Sequence, residues 1–198
     1  MINQHSHKIQ SRFASKVAVL LSCVTLTTFT ATTVAIAQTA EPKATASILN
    51  VKGELVGTAT FAQTPLGVTV SLKVQNLAKG EHMVHVHEYG KCDAPDFKTS
   101  GNHFDPEDKD DEHDHEHMHN KHEEGKHKPT GDLPNIIVKQ DGTGSLNAIL
   151  PELTLGSGNN SLLKQGGTSI MIHAGADGKS TMPKVDYKTR IACGVIKP

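Results

Sequence analysis

The sequence predicts an all-β domain, a β-sandwich or flattened barrel of eight short strands with long loops. Three observations carry that expectation: apolar residues recur with period two, turn formers punctuate the chain at regular spacing, and no stretch after the first forty residues shows convincing helical periodicity.

The first strand is expected at Ala44–Val51 (ATASILNV). A Lys52-Gly53-Glu54 turn returns it as Leu55–Phe61. The clearest alternation follows: Val68, Val70, Leu72 and Val74 take one face, and Thr69, Ser71, Lys73 and Gln75 the other, as in a half-buried antiparallel strand. Asn76 and Lys79-Gly80 end it, and Met83–His87 is the fourth. The remaining four are expected at Leu133–Lys139, Ser145–Leu150, Thr168–His173 and Arg190–Ile196, with Asp141-Gly142-Thr143-Gly144 as a hairpin turn between the first two. Two connections are long, Glu88–Asp132 and Pro151–Gly167. The former exceeds an ordinary link in a small domain, which points to a functional loop or disorder.

Met1–Gln38 has a different character. Lys8, Arg12 and Lys16 without an acid precede VAVLLSCVTLTTFTATTVAIA, which ends in Ala35-Ile36-Ala37. These are the basic, apolar and A-x-A parts of a secretory signal. Cleavage after Ala37 is expected, making residues 1–37 a signal peptide and 38–198 the working domain in the periplasm. LLSC at Leu20–Cys23 is a weak lipid-attachment match, because the apolar run before it covers only Val17–Leu21; no stable membrane anchor is expected. Loss of three cations takes the 20 Lys+Arg to 17 against 21 Asp+Glu, a formal charge of −4. Nothing in that balance provides the basic patch that nucleic-acid binding needs. Cys92 and Cys193 remain as an even pair, which an oxidising compartment would join.

The histidines define the chemistry. His85 and His87 alternate on the fourth strand, so both leave the face opposite Val84 and Val86. On the seventh strand Ile170 and Ile172 claim the interior, which leaves Met171 and His173 on the other face. The imidazoles are thus expected outside the barrel, beneath the long loops, with His103 following in the first of them. Three or four imidazoles fixed by sheet backbone suit Cu²⁺ or Zn²⁺.

In order along the chain, HVHEYGKC, SGNHFDP, GDLPNI, SIMIHAGADG and RIACGVI resemble the motifs of bacterial copper,zinc superoxide dismutase. The resemblance spans nearly all of the chain after the leader. It implies an eight-stranded Greek-key barrel with long metal-binding loops, copper on His85, His87, His103 and His173, and His103 shared with zinc. It also implies Asp132 as a zinc ligand, Arg190 beside copper as the attractor of superoxide, Asp177 as a carboxylate linking a copper His to a zinc His, and a Cys92–Cys193 disulfide. Glu88 and Asp105 are left as structural or solvated acids. Of partners, superoxide is implied as the substrate, and a homodimer and a copper donor are left open.

The chain departs from the family's pattern before Asp132. The usual zinc histidine three residues earlier is Pro129, which has no ligating side chain. The His- and acid-rich loop 107–128 carries His113, His115, His117, His119, His122 and His127. Two registers are open. In one, His122 is the middle zinc histidine and His127 the third; in the other, His127 is the middle one and the third is lost. The first is favoured, giving His103, His122, His127 and Asp132. The other histidines read as a loose metal-capturing tract or a disordered polar loop. The competing function is copper or zinc binding or storage on the same barrel without turnover.

Overall fold

The computed structural model describes residues 41–106 and 128–198. Their strands are β1 Lys43–Asn50, β2 Leu55–Thr64, β3 Gly67–Val74, β4 Gly80–His82, β5 Val84–His87, β6 Ile136–Val138, β7 Gly144–Leu150, β8 Ser169–His173, β9 Gly175–Ala176, β10 Lys179–Ser180 and β11 Arg190–Val195. The alternation expected from the sequence is the alternation observed. Ala44, Ala46 and Ile48 of β1, Val56, Ala59 and Phe61 of β2, and Val68, Val70, Leu72 and Val74 of β3 all point into one buried core. Val84, Val86, Ile136, Ile170 and Ile172 complete it from the other side.

Nine strands form one antiparallel sheet in the order β4-β6-β7-β3-β2-β1-β11-β8-β5, and β9 and β10 form a separate hairpin. The expected count was eight. The additional strand is β4, Gly80–His82, which precedes the expected Met83–His87 run and is set off from β5 by Met83. These are the two ends of the sheet, so the sheet curls until a single residue joins its edges and the barrel nearly closes. Met83 takes part in that closure: its N–H donates to Gly175 O at 3.0 Å, and its carbonyl accepts from His173 N–H at 3.0 Å. The strand expected over Leu133–Lys139 shortens to Ile136–Val138, since Pro134 has no N–H for a ladder.

The described parts of the long loops lie against the barrel. Leu153, Leu155 and Leu162 of the β7–β8 connection enter the main core. A second, smaller cluster of Phe97, Met171 and Cys193, with Cys92 against it, packs on the outer side of β8 and β11. It holds the start of the β5–β6 loop, which the Cys92–Cys193 disulfide ties to β11 with Cα atoms 5.6 Å apart. Among the described residues no helix is long and apolar enough to cross a membrane.

Candidate metal centre

The site follows from how β5 is paired. One edge runs against β8, with His85 opposite Met171 and His87 opposite Ser169. Loop backbone occupies the other edge: Val86 N–H donates to Gly131 O at 2.8 Å, Leu133 N–H to Val84 O at 3.1 Å, Phe104 N–H to Val86 O at 2.8 Å and Glu88 N–H to Asn102 O at 3.1 Å. These bonds set Asp132 opposite His85 and His103 opposite His87. Gly131 makes the approach possible. A Cβ there would lie 2.8 Å from Phe104 O and 2.9 Å from Val86 O, backbone atoms with no room to yield. On the far side a bulge between Arg190 and Ala192 keeps Arg190 in register with His173.

One potential ligand atom from each of His85, His87, His103 and His173 lies within 4.8 Å of the others. Hydrogen bonds decide which nitrogens face inward. His87 Nδ1 donates to Gly101 O at 3.0 Å, which leaves its buried Nε2 with a lone pair and no hydrogen-bond partner. His173 Nδ1 donates to Lys188 O at 2.7 Å, so its Nε2 is bare and lies 3.1 Å from His85 Nδ1. His103 turns Nδ1 to Asp132 Oδ1 at 2.9 Å, and its Nε2 remains for the cluster. Burial, reinforced by the neighbouring imidazoles, pushes His85 down to about 3. Burial likewise pushes His87 to about 3 and His173 to about 4. All three are neutral at pH 7, with lone pairs free for a cation. Burial alone would raise the Asp132 carboxyl, but the hydrogen bond from His103 and the charge of nearby groups outweigh it and hold it below its ordinary value. Neutral imidazoles converging on an unpartnered buried nitrogen, with no thiolate among them, fit a borderline divalent metal.

The profile of the copper/zinc superoxide dismutase family (SODC) matches residues 55–196. A Cu-Zn superoxide dismutase of Aquifex aeolicus (strain VF5) is 41% identical over 159 residues, covering 79% of this chain and 89% of the relative. That of Caulobacter vibrioides is 34% identical over 156 residues, covering 78% and 85%. The chain belongs to the copper/zinc superoxide dismutase family. Solved structures agree: a double mutant of a SOD-like protein from Bacillus subtilis superposes with a TM-score of 0.61 at 29% identity, over 76% of this chain and 95% of that one. The Cu/Zn superoxide dismutase from Brucella abortus gives 0.54 at 26% identity, over 78% and 99%.

Within this copper/zinc superoxide dismutase fold, the structure brings together His85, His87, His103 and His173 and places Asp132 beside His103. Arg190 grips the β5–β6 loop: Nη1 donates to Phe97 O at 2.9 Å and Ser100 Oγ at 3.1 Å, and Nη2 to Gly101 O at 2.8 Å. His122, His127 and the tract from His113 to His119 lie outside the described residues. The zinc-side histidines that Asp177 is expected to link lie outside the described residues. Asp177 is exposed, at φ 48° beside Gly178 at φ 77°, in the tight turn between β9 and β10, and makes no hydrogen bond to an imidazole among the described residues. Asp177-Gly178 serves as a turn pair there.

Two residues escaped sequence reasoning. His82 is fully buried, with Nδ1 2.7 Å from His173 O and Nε2 2.8 Å from Ala78 O, so it braces the backbone of one cluster residue. Its parity with Val84 and Val86 was the available clue. Ser100 is fully buried beside His87 and Arg190, and no local pattern marks it.

Proposed function

We propose that the protein is a superoxide dismutase whose copper is held by His85 Nδ1, His87 Nε2, His173 Nε2 and His103. The observation that carries this reading is the buried, partnerless Nε2 of His87 at the centre of four converging imidazoles in a member of this family. Bound copper supplies a one-electron couple, oxidising one superoxide to O₂ and reducing the next, with two protons, to H₂O₂. Arg190 spends three of its five N–H groups on the loop, and its fixed positive charge draws the small anion to the site without binding it tightly. His103 is the most exposed of the four rings and can take a proton from solvent at Nε2 and pass it to the nascent peroxide. Its Nδ1, paired with Asp132, faces the place for zinc, which we assign to His103, Asp132, His122 and His127.

Several finer readings accompany this one. The chain passes from β3 beyond β7 and β6 to reach β4, which supports a Greek-key barrel of eight strands once β4 and β5 are counted together. The basic-apolar-AxA leader and the disulfide support export to the periplasm and cleavage after Ala37. Titration of metal-free protein with copper while superoxide consumption is followed tests the functional reading. Copper-dependent activity that is absent in His173→Ala is expected; copper uptake without turnover would favour storage instead.

A further inference from the structure

We infer that Ser100 is a positioning residue for Arg190 and His87, and so sets how strongly the site holds a small anion. The inference rests on the copper-site reading above. Ser100 ends the single short 3-10 turn among the described residues, Lys98–Ser100, and is completely buried. A buried hydroxyl is costly unless its hydrogen-bonding capacity is used, whereas alanine would fill almost the same space without that demand.

All of that capacity is used. The hydroxyl donates its one proton to Phe97 O at 2.8 Å. Its lone pairs are then free to accept, and two donors face them: Arg190 Nη1 at 3.1 Å and His87 Nδ1 at 3.3 Å. His87 Nδ1–H is shared with Gly101 O at 3.0 Å, the same carbonyl that accepts from Arg190 Nη2 at 2.8 Å. Ser100 Oγ and Gly101 O therefore form a two-point cradle that touches the guanidinium and one imidazole of the cluster at once. A guanidinium held only by Phe97 O and Gly101 O is fixed at two ends but can pivot about the line between them. Contact with Ser100 Oγ removes that freedom, and its lone pair also helps keep the His87 proton on Nδ1, which leaves Nε2 to the metal.

Ser100→Ala deletes one oxygen from a site where the remaining backbone contacts persist, so folding should survive. Two measurements separate positioning from a purely structural part. In copper-loaded protein, azide titration followed by the visible copper band should give a Kd about three- to tenfold weaker, the range expected for losing one hydrogen bond of ordinary net strength. In metal-free protein, phenylglyoxal should modify Arg190 several-fold faster. Peptide mass spectrometry reads that residue cleanly, because Arg12 is the one other arginine in the chain. Azide affinity and Arg190 modification both equal to wild type would overturn the inference. Failure of wild type to take up copper would instead overturn the functional reading, and the metal-free modification rates would still decide the part assigned to Ser100.

Discussion

Replacing Gly101 with alanine tests whether one carbonyl holds both a metal-facing imidazole and the guanidinium. Gly101 sits at φ 77°, ψ −153°, a region that side-chain-bearing residues enter at a cost of about 1–3 kcal/mol. A Cβ there would also collide with Glu88 Oε2 and lie 2.7 Å and 2.8 Å from two ring carbons of Tyr89. Tyr89 is half exposed and can swing away. Glu88 is less free, because Oε2 accepts the Asn102 N–H at 2.8 Å. The combined penalty is about 2–3 kcal/mol, which for a domain of this size lowers the midpoint of thermal unfolding by about 5–10 °C. The loop can escape the strain only by turning the Gly101 carbonyl, and that turn releases His87 Nδ1 and Arg190 Nη2 together. Calorimetry of the metal-free protein and copper-dependent superoxide consumption should therefore fall in parallel. A variant with an unchanged midpoint and full activity would refute the reasoning.

Two further outcomes follow from the same geometry. His85, His87 and His173 have folded-state values of about 3, 3 and 4, against about 6.5 in the unfolded chain. Above about 6.5 they are neutral in both states and cost nothing. As pH falls toward about 4 the unfolded chain binds more protons, so metal-free stability should drop by up to about 1.4 kcal/mol per pH unit for each imidazole. Thermal midpoints measured from pH 7.5 to 4.5 should fall, and more gently in His87→Ala; equal slopes would contradict the burial argument. The disulfide joins residues 101 apart, a loop closure nominally worth about 4.7 kcal/mol. Cys92→Ser with Cys193→Ser should lower the midpoint by about 10–15 °C, and a shift under about 3 °C would show that the second core cluster alone holds the loop.

The parts of this molecule that repeat were legible in the sequence. Val68 to Val74 announced a strand because a sheet buried on one face imposes period two, and the same parity put His85, His87 and His173 opposite the core valines and isoleucines. What was not legible depends on pairings between distant segments. The site's second half exists because Gly131 and Phe104 bond to Val86, and no local pattern encodes that edge. Ser100 reads as an ordinary turn residue until β11 delivers Arg190 to it. Asp177 carries two signals at once: its position after His173 resembles a family motif, and the following Gly178 suits the two-residue hairpin turn it occupies. The short strand β4 ahead of Met83 was invisible because it reflects closure of the whole barrel.

The most direct test is a copper titration of metal-free protein lacking His113–His119, with superoxide decay recorded after each addition by pulse radiolysis. Removing that tract takes its competing imidazoles out of the titration. Activity should rise linearly and stop at one copper per chain, with no catalytic rise at any copper ratio in His173→Ala. Copper that binds with no superoxide loss, or activity that survives the loss of His173, would contradict this expectation.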